Sequence, residues 1–328
     1  MTWVRIRAAK EKFEKFLLDR ANVIGVGIGK KVVAGRETGE PAVVVFVERK
    51  LPETQLKKRD VVPKILDEVK TDVVETGRLK ARGLVAGAAM ARTTRWRPAP
   101  GGVSIGHVRI TAGTLGGVVR SGRDRRILSN NHVLANSNRA RPGDSILQPG
   151  PADGGGQGDV IAALDRFVEI KFGEAIAGGG WSLSQALRRL AERLGIRAAR
   201  VPPRNVVDAA IATPTRDDLV SDSILDLPRS SGITEATVGL SVRKSGRTTG
   251  VTTGKILATD ATVEVDYDRY VATFEDQLVA GPMSQGGDSG SLLLDGSGRA
   301  VGLLFAGSDK TTVFNRARRV ADALRIEF

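Results

Sequence analysis

The sequence predicts a mainly β protein preceded by a small α+β domain, and two observations carry this prediction. Residues 1–76 combine a helical pattern with strand patterns. Beyond about residue 100, short apolar segments alternate with turns, and the whole chain holds 39 glycines. Short strands separated by turn residues are typical of all-β sandwiches and barrels. With 41% hydrophobic residues, the chain has enough apolar side chains for a globular core.

In the predicted α+β domain, a helix is expected over roughly residues 4–20, because Phe13, Phe16 and Leu17 fall on one face. A second helix is expected at residues 55–69, although Pro63 interrupts its pattern. The glycines near the start of the domain match neither the Walker pattern nor the dinucleotide fingerprint, so no catalytic residue is predicted here. Strands are predicted at residues 23–31, 42–47 and 70–75.

Residues 77–100 are rich in Gly, Ala, Arg and Pro, which predicts a linker to a larger domain at residues 101–328. This larger domain is expected to carry a helical insertion at about residues 173–203. There Ser182 and Gln185 form the capping box of an amphipathic helix. Such a helix could cover a cleft, contact a neighbouring subunit or pack on its own domain.

The rest of the larger domain is predicted to consist of short strands and turns, closed by a helix at residues 314–325. The predicted strands lie at residues 108–110, 116–119, 127–128, 161–170, 255–257, 262–265, 270–274, 277–279 and 300–308.

The charge of the chain is uneven. The formal net charge is +13, and residues 1–99 hold 22 Lys and Arg against 12 Asp and Glu. A basic N-terminal domain could bind nucleic acid. We favour a solvated basic surface, because aromatic residues total 4% and no nucleic-acid motif accompanies the charge.

The absence of cysteine from the sequence argues against a disulfide-stapled secreted protein. Residues 1–7 lack the apolar core of a signal peptide, and no apolar run in the sequence is long enough to span a membrane. We therefore expect a cytoplasmic protein.

A glycine-rich turn at residues 284–291 is the candidate for chemistry. Gly287, Asp288, Ser289 and Gly290 suit a tight turn whose N–H groups converge on one point. A serine at the tip of such a turn can attack a carbonyl carbon, and the N–H groups of Gly287 and Ser289 can then hold the oxyanion. The simpler interpretation is an ordinary polar turn before a strand.

A serine nucleophile needs a base, usually a histidine that a carboxylate orients. The chain has two histidines. His132 follows a strand that ends in a polar turn and is the favoured base, whereas His107 is interpreted as structural or solvent-facing. Asp208 lies in an apolar segment, where an unpaired charge would be costly, and it is the favoured acid.

The order His132, Asp208, Ser289 differs from the orders of subtilisin and of the α/β-hydrolases. With its flanking motifs, the sequence resembles the chymotrypsin/trypsin-like serine peptidases, especially a prokaryotic, intracellular-looking branch with an extra N-terminal domain. It is also similar to a plant protein group of the same fold, known for effects on leaf form. The resemblance covers residues 98–310 and implies a chymotrypsin-like double β-barrel. Its motifs lie at residues 98–107, 128–135, 207–211, 244–250 and 287–291.

The resemblance implies a serine endopeptidase that works through an acyl-enzyme. Phe305, Ala306 and Gly307 would then form a wall of the substrate cleft, with their backbone available to an extended peptide. Asp288 departs from digestive members, in which a freed N-terminus pairs with the equivalent acid, because no activation site precedes the first barrel here. Either the turn is preformed or another basic group holds Asp288.

Met283, six positions before Ser289, would lie at the base of the primary specificity pocket. A one-residue shift of the alignment would put Pro282 or Ser284 there instead. None of these three residues is acidic, so the resemblance implies apolar residues rather than Lys or Arg at the cleaved position.

The main alternative is a catalytically silent peptide-binding or scaffold protein of the same fold, which a complete triad disfavours. A nucleic-acid-associated factor is a third interpretation. The expected substrate is a protein or peptide, and neither a metal site nor a cofactor is predicted. A homo-oligomer is expected, because the N-terminal domain and the inserted helix offer surfaces for self-association. Neither nucleic acid nor a membrane is an expected partner.

Overall fold

The N-terminal unit is a helix packed on a small sheet. The computed structural model describes residues 2–33, 35–81, 90–173 and 203–328. Ile6 and Leu17 on the helix are fully buried against Val26 and Val45 of the sheet. Burial of such side chains, at roughly 2 kcal/mol each, holds the helix in place. The elements are helix α1 (Trp3–Leu18) and strands β1 (Val23–Val33), β2 (Arg36–Val47), β3 (Ile65–Leu66) and β4 (Val69–Glu75).

The helix predicted at residues 55–69 is wrong. Two single 3₁₀ turns, Glu53–Gln55 and Lys58–Asp60, occupy the first part, and β3 and β4 then form a hairpin. Pro63 has no N–H to donate to a helix. Asp67 and Glu68 form the hairpin turn with φ values of 46° and 67°, a conformation that a right-handed helix excludes.

The first barrel is a curled sheet of seven strands, in the order β7-β6-β10-β11-β13-β9-β8. Its inward-facing side chains form one core, in which Ile105, Ile127 and Ile161 are fully buried. A short helix, α3, follows β9 and contributes Val133 to this core. Strands are β6 (Ser104–His107), β7 (Gly113–Thr114), β8 (Gly117–Ser121), β9 (Asp124–Ser129), β10 (Ser145–Leu147), β11 (Val160–Phe167) and β13 (Ala210–Pro214); α3 is Asn131–Leu134.

The second barrel is a closed ring of strands. Each strand pairs with the next one in the order β16-β17-β20-β19-β18-β15, and β15 pairs with β16 to close the ring. This ring and the curled first sheet form the double β-barrel that the sequence predicts, so the predicted fold class is confirmed. Strands are β12 (Arg204–Asn205), which adds to β17, β15 (Ser241–Gly246), β16 (Gly250–Asp266), β17 (Val271–Ala280), β18 (Leu292–Leu294), β19 (Ala300–Gly307) and β20 (Thr312–Arg316).

The N-terminal sheet continues the second barrel, because β1 pairs with β16 in an antiparallel ladder. Glycines on one face of β1 permit this close approach. A Cβ at Gly25 would lie 2.7 Å from the carbonyl oxygen of Thr262, and one at Gly29 would lie 2.6 Å from that of Leu257. The repeated glycines of β1 therefore serve strand packing and do not form a phosphate loop.

Several predicted element boundaries in the barrels differ from the structure. Residues 108–110 form a turn after β6. The strands predicted at 255–257 and 262–265 are parts of the single strand β16, which β-bulges interrupt without ending it. The insertion helix predicted within residues 173–203 lies outside the described residues. Remaining elements are α2 (Met90–Thr93), the closing helix α4 (Ala317–Leu324), and the paired short strands β5 (Ala99–Gly101) and β14 (Val220–Ile224).

Within the described ranges, none of the helices combines the length and the apolar character that crossing a bilayer requires.

Candidate active site

The first barrel brings His132 and Asp208 together. His132 lies in α3, directly after β9, and Asp208 lies directly before β13. Because β9 and β13 pair with Ser129 opposite Ala210, the residues beyond this pair meet at one end of the sheet. Nδ1 of His132 lies 2.5 Å from Oδ2 of Asp208, and the backbone N–H of His132 donates to Oδ1 at 3.2 Å.

The carboxylate of Asp208 is fully buried and is held from both barrels. Tyr267, at the end of β16, donates its hydroxyl to Oδ2 at 2.7 Å. The backbone N–H of Asp208 donates to Oδ1 of Asn315 on β20, and its carbonyl accepts from Nδ2 of Asn130. The acid thus sits in a polar network that spans the junction between the barrels, where a buried charge requires such partners.

The turn that carries Ser289 packs against β7. Thr114 donates its N–H to the carbonyl of Ser289 at 2.8 Å. Gly113 lies between this turn and α3, which pack too closely to leave room for a side chain. A Cβ at Gly113 would lie 2.5 Å from Val133 and 3.0 Å from the carbonyl oxygen of Ser289. Ser289 is therefore a near neighbour of the segment that holds His132.

The structure does not join Ser289 to His132 by a hydrogen bond. Nε2 of His132, the ring nitrogen remote from Asp208, is buried and has no hydrogen-bond partner among the described residues. The pair of His132 and Asp208 is thus assembled, whereas the complete triad stays a prediction.

Asp288, next to Ser289, forms a fully buried ion pair with Lys244. Nζ of Lys244 lies 3.0 Å from Oδ2, and both side chains are 0% exposed. Thr249 donates its hydroxyl to Oδ2 at 2.7 Å and its N–H to Oδ1 at 3.1 Å. The N–H groups of Thr248 and Gln285 also donate to the carboxylate of Asp288. Burial lowers the pKa of Lys244, and the charge of Asp288 opposes this shift.

Both possibilities that the sequence left open for Asp288 therefore apply: the turn is formed, and a basic group holds the acid. Sequence reasoning missed Lys244 and Tyr267. Lys244 is the first residue of the motif at residues 244–250, which is one of those that carry the resemblance. Its place in that motif could have indicated Lys244 as the basic partner of Asp288. Tyr267 follows a strand and precedes a turn, and that local pattern contains nothing that points to Asp208.

Gly287 occupies a position that requires glycine. Its φ is +96°, in the left-handed region, and a Cβ would clash with the hydroxyl of Thr248. Thr114 fixes the turn further by donating its hydroxyl to the carbonyl of Gly287 at 2.8 Å. The N–H groups of Gly287 and Ser289 donate to no residue within the described part of the chain.

The predicted substrate-binding residues lie along the second barrel. Met283 is 5% exposed and packs in the barrel core, and its sulfur faces Gly254. The neighbouring Ser284 points toward the cleft wall, because its Oγ would lie 3.3 Å from a Cβ at Gly307. Of the two, Ser284 is thus closer to the predicted cleft wall.

Phe305, Ala306 and Gly307 are all buried at the end of β19. The backbone of Gly307 is paired with the chain's own Lys80: its N–H donates to the carbonyl of Lys80 at 3.0 Å, and its carbonyl accepts from the N–H at 3.1 Å. An extended peptide that used these two groups would have to displace Lys80.

The second histidine, His107, is structural. Its side chain is buried, Nε2 lies 3.1 Å from Oδ2 of Asp144, and Nδ1 accepts the N–H of Arg109 at 3.0 Å. Both ring nitrogens have partners within the first barrel and the side chain is buried, so the solvent-facing alternative is wrong.

The chain is thus a chymotrypsin-like double barrel with a candidate His–Asp–Ser site at the barrel junction. The family model described as "NARROW LEAF 1 N-terminal domain" matches residues 2–74. Protein NARROW LEAF 1 of Oryza sativa subsp. japonica is 25% identical over 319 residues, which covers 87% of this chain and 51% of the rice protein. The chain therefore spans about half the length of this curated relative. The resemblance predicted from the sequence is confirmed.

Among solved structures, Thermobifida fusca Protease A is 18% identical with a TM-score of 0.45, over 70% of this chain and 96% of that one. Cellulomonas bogoriensis chymotrypsin is 19% identical with a TM-score of 0.45, over 70% of this chain and 97% of that one.

Proposed function

We propose that this protein is a serine endopeptidase with His132, Asp208 and Ser289 as its catalytic residues. The observation that carries the proposal is the close pair of His132 and Asp208, set beside a serine turn that Lys244 holds in place through Asp288. A buried carboxylate bonded to Nδ1 of a histidine orients the ring and stabilises its charged form.

In the proposed reaction, Ser289 attacks the carbonyl carbon of the scissile peptide bond while Nε2 of His132 takes the hydroxyl proton. The N–H groups of Gly287 and Ser289 stabilise the oxyanion of the tetrahedral intermediate. The C–N bond then breaks, His132 gives its proton to the leaving amine, and the acyl group stays on Ser289. Water, activated by His132, hydrolyses this ester and restores the serine.

Asp288 has a supporting role in this proposal. In the resembled digestive enzymes a freed N-terminus pairs with the equivalent acid, whereas Lys244 supplies the positive charge here. The serine turn would then not need a freed N-terminus to take its shape. Substrates are proposed to be proteins or peptides, and self-association into a homo-oligomer stays a prediction.

Covalent labelling with a fluorophosphonate tests the proposal. The wild type should be labelled on Ser289, as mapped by mass spectrometry, whereas Ser289→Ala and His132→Ala should lose labelling by several orders of magnitude. Ser297→Ala, in an exposed turn, is the matched control and should label like the wild type. A folded wild type that is not labelled would support the silent peptide-binding alternative instead.

A further inference from the structure

Tyr267 donates to the same carboxylate oxygen that His132 approaches. Its hydroxyl lies 2.7 Å from Oδ2 of Asp208, and Nδ1 of His132 lies 2.5 Å from that oxygen. The two donors therefore share one acceptor atom. A hydrogen bond to a carboxylate favours its charged form and withdraws electron density from the oxygen that accepts it.

Aromatic contacts fix the ring of Tyr267 in this position. It packs edge to face on His132, with ring centroids 6.0 Å apart, and on Phe172 at 5.4 Å. It also stacks on Phe274 at 6.2 Å. Aromatic pairs at these separations are attractive, so the hydroxyl is held toward Asp208 by packing as well as by its hydrogen bond.

The backbone under Tyr267 is also anchored. Its N–H donates to the carbonyl of Tyr270 at 2.8 Å, which closes the turn between β16 and β17. The preceding residue, Asp266, pairs through its backbone with Leu79 and Ala81, and through its carboxylate with Arg78 at 3.0 Å. Residues 78–81 thus brace the turn that presents Tyr267 to the site.

Tyr267 remains a donor over a wide pH range. Burial raises its pKa well above the ordinary value for tyrosine, and the neighbouring charge of Asp208 and the hydrogen bond to it act in the same direction. The neutral hydroxyl of Tyr267 can therefore donate a hydrogen bond to Asp208, and it adds no second negative charge beside the carboxylate.

We propose that Tyr267 is a positioning residue of the active site: it orients Asp208 and, by sharing Oδ2, lowers the basicity of His132. The inference rests on the proposed serine peptidase function. Without the phenol, the full charge of Oδ2 faces His132 and holds the imidazolium more strongly, so the pH at which Ser289 becomes reactive should rise.

The test measures the second-order rate of fluorophosphonate labelling of Ser289 against pH, which needs no knowledge of the natural substrate. Tyr267→Phe should label roughly tenfold more slowly at neutral pH, the rate equivalent of one lost hydrogen bond to a charged group. The midpoint of its pH dependence should move upward. Tyr270→Phe, in the same turn, is the matched control and should label like the wild type.

A second variant separates electronic tuning from packing. The chain has two tyrosines, so Tyr270→Phe leaves Tyr267 as the sole tyrosine in the chain. Incorporation of 3-fluorotyrosine in that background keeps the ring and the hydroxyl but makes the phenol a stronger donor. The midpoint should then move downward, opposite to Tyr267→Phe, which a purely structural role would not produce.

If both changes leave the rate and the midpoint at wild-type values, the inference is overturned while the proposed function stands. Absence of labelling in the folded wild type would overturn the proposed function and this inference with it.

Discussion

Asp208 and Asp288 are both fully buried, yet the two barrels hold them in different ways. Asp208 faces the hydroxyl of Tyr267, which remains a neutral donor, and His132, whose ring gains a proton in the proposed reaction. Asp288 faces a lysine, a threonine hydroxyl and three backbone N–H groups, which all remain donors throughout.

This difference suits Asp208 to a proposed role in the reaction and Asp288 to a structural role in the serine turn. In the proposed reaction, the charge of Asp208 is compensated most strongly when His132 takes the proton of Ser289 in the transition state of acyl transfer. The charge of Asp288 is compensated permanently, so it fixes the shape of the serine turn. We therefore expect Asp208 to control rate with little effect on stability, and Asp288 to control both.

The largest expected effect is that of Asp208→Asn. The amide keeps the shape of the side chain but removes its charge, so the rate of fluorophosphonate labelling should fall on the order of 10⁴-fold. The urea midpoint of unfolding should change little. Asp217→Asn, at an exposed position, is the charge-matched control. A folded Asp208→Asn protein that labels at the wild-type rate would refute the role of Asp208.

Breaking the buried pair at the serine turn should affect folding as well as labelling. Asp288→Asn leaves the ammonium of Lys244 buried without its counter-charge, which should lower the free energy of unfolding by about 3–5 kcal/mol. Chemical denaturation measures this loss, and labelling of the remaining folded protein should be slow.

The double variant Lys244→Met/Asp288→Asn sharpens this comparison. Removing both charges should recover part of the stability that Asp288→Asn loses, because an apolar side chain then fills the space of the lysine. Additive losses in the double-mutant cycle would show that the pair is not coupled as the structure indicates.

Specificity should show a moderate effect. Profiling on a mixed peptide library should give cleavage after apolar residues, with Lys and Arg disfavoured by roughly 100-fold. Neither the core residue Met283 nor Ser284, whose Oγ lies near Gly307, offers a charge to a basic side chain. Predominant cleavage after Lys or Arg would contradict this interpretation of the pocket.

The smallest expected effect concerns a partly buried carboxylate beside the N-terminal helix. Asp260 pairs with Arg7 of α1 at 3.0 Å and with Arg316 at 3.1 Å. Burial opposes ionisation of Asp260, but these arginines outweigh it and its pKa lies below the ordinary value. Its contribution is therefore complete above the ordinary aspartate pKa and is lost as the pH falls through the lower folded value.

Arg7→Gln should consequently cost less than about 1 kcal/mol at neutral pH, because Arg7 is half exposed. The difference from the wild type should shrink in urea titrations below about pH 4. A difference that stays constant down to low pH would mean that Arg7 stabilises the helix by packing instead of by charge.

Local sequence patterns were sufficient to predict much of the fold and to propose the candidate residues. Alternating strands, the amphipathic α1 and the Gly-Asp-Ser-Gly turn are set by properties of neighbouring residues, so they could be predicted without coordinates. With two histidines in the chain, the choice of base was also narrow. The failure at residues 55–69 has a local cause too, since Pro63 and the positive φ values at Asp67 and Glu68 favour a hairpin.

Tertiary structure decided the partners that lie far apart in the chain. Tyr267 reaches Asp208, Lys244 reaches Asp288, and Lys80 pairs with Gly307 because the barrels fold these segments onto one another. Buried charges must find donors wherever the fold supplies them, and no short pattern records which segment that is. The sequence alone thus indicates which residues could perform the chemistry, whereas long-range packing selects the residues that hold them in place.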